Sequence, residues 1–293
     1  MERIDLAIIG AGRVGRSLGR LLVRADCVRS VTVYDCDPQA ARQAAAFIGD
    51  AQAVSSLAAL PAATTAALTV PDDAITRAAA ALAESDAIPT TVFHTSGAHD
   101  SGLLQPLAER GAAVASLHPM RSFARPAEVV DTFAGTFCTI EGDASAVRVL
   151  EEWFSACGAR VVTIDRNVKP LYHAAGVFAC NYLVTLTAIA EQLLEAAGVA
   201  EEDRRPMLAP LIRETVDNWA KSSPPEALTG PIVRGDEETV RRHLESLSDL
   251  SPALADLYRR LGAATLSVAL QAGLPEPTAE RLRRILGESP DFS

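Results

Sequence analysis

Residues 4–15, "IDLAIIGAGRVG", restrict the fold more than any other stretch. Ile4 to Ile9 is an unbroken apolar run that stops at glycines instead of alternating with polar residues. That is the pattern of a strand buried on both faces of a parallel sheet. Gly10, Gly12 and Gly15 follow at once, at the mouth of a helix marked by Leu18, Leu21 and Leu22. Apolar runs at 30–34, 66–70, 91–94 and 113–116 then alternate with helical segments, one alanine-rich from Pro38 and another over 75–83. This is the rhythm of repeated βαβ units. Two further strand-like pieces, 137–140 and 160–164, flank a helix over 145–157. From Lys169 to Leu286 the period turns helical, with one long break in "KSSPPEALTGPIVRGDEE", whose prolines and glycines forbid a continuous helix. The expected class is α/β: an N-terminal doubly wound parallel sheet over residues 1–167, then an all-α domain over 168–293.

A chain of 293 residues exceeds one typical domain, and 48% apolar with 22% charged residues supplies an ordinary globular core. The formal charge of -10 repels phosphate backbones and anionic surfaces, which argues against nucleic acid and membranes as partners. Five scattered cysteines lack any C-x-x-C spacing, so no metal site or disulfide framework is expected, and a reducing, cytoplasmic compartment is. The apolar run in "MERIDLAIIG" is too brief for a signal peptide. The apolar run from Ala174 to Ala190 falls short of the roughly 20 residues of a membrane span. A helix there is apolar nearly all round and must be covered, which predicts a homodimer.

Glycines at this spacing after a first strand form the fingerprint of a Rossmann dinucleotide site. Gly10 serves the tight turn, Gly12 lets the backbone approach a pyrophosphate, and Gly15 permits close helix–sheet contact; Ala11, Arg13 and Val14 complete the loop. Asp35, at the end of the second strand, is placed to accept from an adenosine ribose and to repel a 2′-phosphate, favouring NADH within NAD(P)H. Arg13 could still reach such a phosphate, and Asp35 could instead be a turn residue of "YDCDP". Ligands of such sheets lie beyond the carboxyl ends of the strands. Val70 and Pro71 in "TVPDDAI" and Ser96 and Gly97 in "HTSGAHDSG" therefore line the groove, unless Pro71 and Asp72 merely start a helix. In "SLHPMRSFARP", His118 is a proton donor, a carboxylate ligand or a loop anchor, and Arg121 a carboxylate ligand.

The glycine loop, "VPDDAI", "HTSG", "SLHPMRSFARP", "YHAAGVFACN" and "LTGPIVRGD", in this order, resemble a family of Rossmann-like oxidoreductases with a helical C-terminal domain of unknown function. The resemblance covers nearly the whole chain. That family is similar in plan to ketopantoate reductase, pyrroline-5-carboxylate reductase and the 6-phosphogluconate and 3-hydroxyisobutyrate dehydrogenases, which bind NAD(P) and act on small carboxylates. "HPM" alone also resembles prephenate dehydrogenases.

In the better-known relatives a lysine and an asparagine on the first helix after the nucleotide domain hold the reacting group. Asn181 in "NYLVTL" resembles that asparagine, while His173 stands where the lysine would be. Lys169 precedes Pro170, which places it in the loop before the helix. On a uniform helix, positions 173 and 181 are roughly 12 Å apart along the axis and about 80° apart around it, so a substrate would lie along the helix. The expected roles are His173, Lys169 or His118 as acid, Asn181 as oxygen ligand and Arg234 as carboxylate clamp. His173 and Asn181 could equally be satisfied polar groups of a core. The resemblance implies an NAD(P)H-dependent reductase of a small carboxylated ketone, ketopantoate-like. A reductase of a cyclic imine acid and a non-catalytic NAD(H)-binding sensor are the alternatives.

Overall fold

The computed structural model describes residues 3–61 and 65–287 and divides into two compact units, Met1–Val184 and Thr185–Ser293. In the first, strands β1 (Ile4–Ile9), β2 (Val28–Tyr34), β3 (Ala51–Val54), β4 (Thr65–Leu68), β5 (Thr91–His94), β6 (Ala113–Pro119), β7 (Phe137–Gly142) and β8 (Arg160–Thr163) form one sheet in the order β3-β2-β1-β4-β5-β6-β7-β8. All neighbours run parallel except β6 and β7. Helices α1 (Arg13–Arg24), α2 (Pro38–Ile48), α3 (Ile75–Ala83), α4 (Gln105–Ala108), α5 (Pro126–Asp131) and α6 (Ala144–Ala156) join the strands.

The unbroken apolar strands are explained by a layer on each face. Leu6 and Ile8 of β1 pack with α1, α2, α5 and α6, while Ala7 and Ile9 face α3 and α4. Two features depart from expectation. β3 is four residues long and pairs only with β2 among the described strands, and "AQAV" carries too little apolar pattern to announce it. β7 runs against β6 because the connection over 120–136 holds only the six-residue α5, which packs beside α1 instead of crossing the sheet.

The helical run begins with α7 (Lys169–Gly176), passes through a π-helical turn at Val177–Asn181 and continues as α8 (Tyr182–Ala196). α7 belongs to the first unit, not the second as a boundary near 167 would have it, because Lys169 is buried against the sheet. Lys169 itself has α-region backbone (φ -55°, ψ -41°) and opens the helix, contrary to the loop placement expected before proline. A 3-10 turn at Arg166–Val168 leads straight into it. Including that turn, the helix spans Arg166–Ala196, 31 residues. It is long and apolar enough to cross a membrane, where the run read from sequence alone falls short, and its most apolar window is not buried.

The second unit holds most of α8 and helices α9 (Glu201–Lys221), α10 (Pro224–Ala227), α11 (Glu237–Leu250), α12 (Pro252–Gln271) and α13 (Glu276–Leu286). Its core is built by Val240 and Leu244 of α11, Leu266 of α12 and Leu282 and Leu286 of α13.

Candidate active site

The three loop glycines meet three different surroundings. Gly10 has φ +105°, and a Cβ there would lie 2.7 Å from the Thr69 carbonyl carbon; a Cβ on Gly15 would lie 2.2 Å from the Gly10 carbonyl oxygen. Any side chain at either position would break the turn or lift α1 from the sheet. A Cβ on Gly12 would meet open space, and no side chain caps the start of α1. The mouth of that helix thus offers free backbone N–H groups beside an open approach, a cradle that fits a pyrophosphate. Ala11 is buried and its N–H is committed to Asp35 Oδ2 at 2.7 Å, whereas Gly12 and Arg13 are exposed. Asp35 Oδ1 also accepts from the Asp37 N–H at 2.9 Å. Burial pushes the Asp35 carboxyl up, but the N–H groups of Asp37 and Ala11 and the Cys36 thiol outweigh it and hold it below its ordinary value. A fixed, charged carboxylate therefore stands at the end of β2.

Beyond the carboxyl ends of β4 and β5 the loops are braced against each other. Thr69 Oγ1 donates to the Gly10 carbonyl at 2.7 Å, and the Gly10 Cβ position lies 2.8 Å from Val70 N. Pro71 is exposed at the start of a 3-10 turn, Asp72–Ala74. Ser96 Oγ donates to Asp72 Oδ2 at 2.9 Å and accepts from the N–H groups of Ala98 and His99. The Ser96 hydroxyl is thus a loop brace, not a group offered to a ligand.

Alternation along β6 and β7 makes a polar floor. Ala115, Leu117, Cys138 and Ile140 face the apolar layer, so Ser116, His118, Thr139 and Glu141 point to the opposite face, with Ser116 paired to Glu141 and His118 to Thr139. Lys169, Tyr172 and His173, at i, i+3 and i+4, share one side of α7. Lys169 is 1% exposed; its Nζ donates to the Ser96 carbonyl at 3.0 Å and to Ser116 Oγ, and lies 3.8 Å from Glu141 Oε1. Glu141 accepts in turn from the Ser101 N–H and hydroxyl, at 2.8 and 2.9 Å. Tyr172 OH is 2.8 Å from His118 Nδ1, with the two rings edge to face. A Cβ on Gly97 would stand 2.9 Å from His118 Nε2 and 2.9 Å from His173 Nδ1. The two nitrogens therefore lie within twice that distance, 5.8 Å, a gap that one oxygen can bridge.

Electrostatics separates these groups. Burial, reinforced by Lys169 and His173, lowers His118 to about 4 against the opposing pull of Asp72. Burial also lowers Lys169, against Glu141, Asp100 and Asp72. The Tyr172 phenol is raised by burial.

Several expected roles change. Buried, hydrogen-bonded to Ser96 and Ser116 and ion-paired with Glu141, Lys169 is a strut under the site. Arg121 is likewise committed: its guanidinium donates to the Thr132 carbonyl and hydroxyl, both at 2.9 Å, and to Thr136 Oγ1 at 3.2 Å, with Phe133 beneath it. It clamps the β6–β7 connection. Asn181 is exposed at the end of the π turn. Such a turn absorbs one extra residue, so Asn181 comes back to roughly 20° from His173 instead of 80°, still about two turns away. Arg234 is exposed in the second unit, just before Gly235 at φ +69°. Tyr172, Thr139, Glu141 and Ser116 went unforeseen, although polar residues on alternate positions of "ASLHP" and "CTIEG" mark one face.

The sequence matches two family models, a Rossmann-like domain over residues 1–119 and a domain of unknown function, DUF2520, over 136–265. The chain joins a Rossmann-like domain to a DUF2520 domain. The DUF2520 match takes in β7, α7 and the π turn, so the polar floor is shared between the two domains: His118 is Rossmann-like, Tyr172 and His173 are DUF2520. A candidate NADP oxidoreductase from Bacteroides fragilis is similar over 89% of this chain and 97% of its own, at 26% identity and a TM-score of 0.71. A Thermotoga maritima protein is similar over 91% and 98%, at 22% and 0.71. Pyrroline carboxylate reductase from Plasmodium falciparum, solved with NADP, shares the fold over 97% and 99%, at 14% and 0.57. No curated protein matches the sequence.

Proposed function

We propose that the chain is an NAD(P)H-dependent reductase of a small carboxylated ketone, a ketopantoate-like 2-keto acid being the first compound to test. The coarse class, an NAD(P)-dependent oxidoreductase of the Rossmann type, is supported by the domain pair, the glycine loop and the similar oxidoreductases. The single observation that carries the ketone reading is the convergence of His118 and His173 at Gly97. Carbonyl reduction builds negative charge on oxygen, which two imidazoles within reach can hold and protonate. The bound nicotinamide supplies hydride. Gly12 and the start of α1 hold the pyrophosphate, and Gly97 leaves room for the reacting oxygen. Asn181, on the same side of the helix, serves the carboxylate end.

We favour NADH because the Asp35 carboxylate repels a 2′-phosphate. Fluorescence titration of both cofactors tests this: Asp35→Ala should narrow the preference, and tighter NADPH binding by the unmutated chain would overturn it. Oxidation of either cofactor with a panel of 2-keto acids and cyclic imines tests the function. Turnover of imines alone would shift the reading to a pyrroline-5-carboxylate-like substrate, and binding without any turnover would favour a sensor.

The exposed apolar residues, Leu171 at 75% and Phe178 at 71% in the first unit and Leu211 at 61% and Trp219 at 60% in the second, call for a cover. We take a second copy over a membrane, since His173 and Asn181 interrupt that helix and Lys169 roots it on the sheet of the first unit. Five free cysteines suit a reducing, cytoplasmic setting.

A further inference from the structure

Two imidazoles face Gly97, and a single oxygen between them can use each in only one way. Which ring offers a proton depends on what holds its far side. His173 is exposed. His118 is not: its Nδ1 meets the Tyr172 hydroxyl at 2.8 Å, on the floor where Thr139 pairs with it across β6 and β7. We propose that Tyr172 donates its hydroxyl proton to His118 Nδ1 and so fixes this ring as the tautomer that carries its proton on Nε2, presented at Gly97 to the oxygen of the substrate.

The direction of the hydrogen bond follows from acidity. A phenol, with an ordinary pKa of about 10, is a far better donor than a neutral imidazole N–H, and an imidazole nitrogen, at about 6.5, a far better acceptor than a phenol oxygen. The reverse arrangement would match the weaker donor with the weaker acceptor. Thr139 Oγ1, buried on the same floor, makes no hydrogen bond among the described residues and takes no part in this one. Around the ring, Lys169 and His173 on α7 oppose a second proton and Asp72 after β4 favours one; burial, the largest influence, prevails and holds His118 at about 4. The ring is therefore neutral at pH 7, and the geometry gives the two histidines different work. His118 polarises the oxygen as an uncharged donor, and His173, exposed on α7, meets the same oxygen from the other side. Tyr172 acts through His118 and is a positioning residue.

The division of labour rests on the reductase reading; the tautomer does not, and the experiment keeps the two apart. Long-range proton–nitrogen spectra of the 15N-labelled full chain, with His118→Gln to assign the signals, should show one protonated and one unprotonated nitrogen on His118, unchanged from pH 5.5 to 8. In Tyr172→Phe the same ring should become a mixture of tautomers, and kcat on a reduced keto acid should fall roughly 10- to 100-fold with cofactor affinity unchanged. A proton on Nδ1, or a His118 that titrates near 6.5 in the unmutated chain, would overturn the proposal even if turnover is vigorous. If no panel compound is turned over but His118 shows the fixed Nε2 proton, the tautomer stands and the assigned chemistry falls. Should Tyr172→Phe not fold, the titration of the unmutated chain still decides.

Discussion

His94 Nε2 faces the Asp100 carbonyl at 2.9 Å while its Nδ1 takes the Ser96 N–H at 3.2 Å, so the ring already uses both nitrogens as a neutral imidazole. Burial holds it at about 4. In the unfolded chain the same histidine takes a proton below about 6.5, so between pH 6.5 and 4 the unfolded state binds more protons and stability falls as pH falls. The pKa difference corresponds to about 3 kcal/mol for His94, with His118 acting in the same direction. Urea melts from pH 7.5 to 4.5 should show this decline, and His94→Gln should flatten it; a flat unmutated profile would mean both rings are accessible to protons. Exposed His173 has no such structural duty. His173→Ala should therefore lower kcat roughly 10²- to 10⁴-fold with little change in the urea midpoint. Normal kcat in a destabilised variant would make it a core histidine.

Whole elements differ in how far their own residues announce them. The glycine loop is legible because each glycine answers a local demand of backbone or contact, which is written in the sequence itself. Strands β4 to β6 are legible from apolar runs. The place of Lys169 is not, because its burial depends on Glu141, a partner from a distant strand that no local pattern reveals, and because a pre-proline residue seldom enters a helix. Arg121 escapes for a similar reason, since its partners Thr132 and Thr136 lie at the far end of the β6–β7 connection. The Lys169–Glu141 pair ties the first turn of α7 to β7. Lys169→Met leaves a buried carboxylate without its cation and should cost about 3 to 5 kcal/mol, while Lys169→Met with Glu141→Leu should recover much of it. Equal melts for the single variant and the unmutated chain would show that the pair is solvated.

At the scale of the whole molecule, the unburied helix and the exposed apolar residues of α9 predict association. Light scattering should give about twice the 30.9 kDa chain mass, and Phe178→Asp with Leu211→Asp should return it toward a monomer. A monomer at micromolar concentration, or a chain that stays in solution only with detergent, would sink the second-copy reading. The strand order carries a different consequence, for the growth of the chain during synthesis. β2 and β3 extend one side of β1; β4 takes the other side, and β5 to β8 follow outward in turn. Each strand, as it leaves the ribosome, meets a sheet whose next free edge is the one it needs, and none has to wedge itself between neighbours that have already paired.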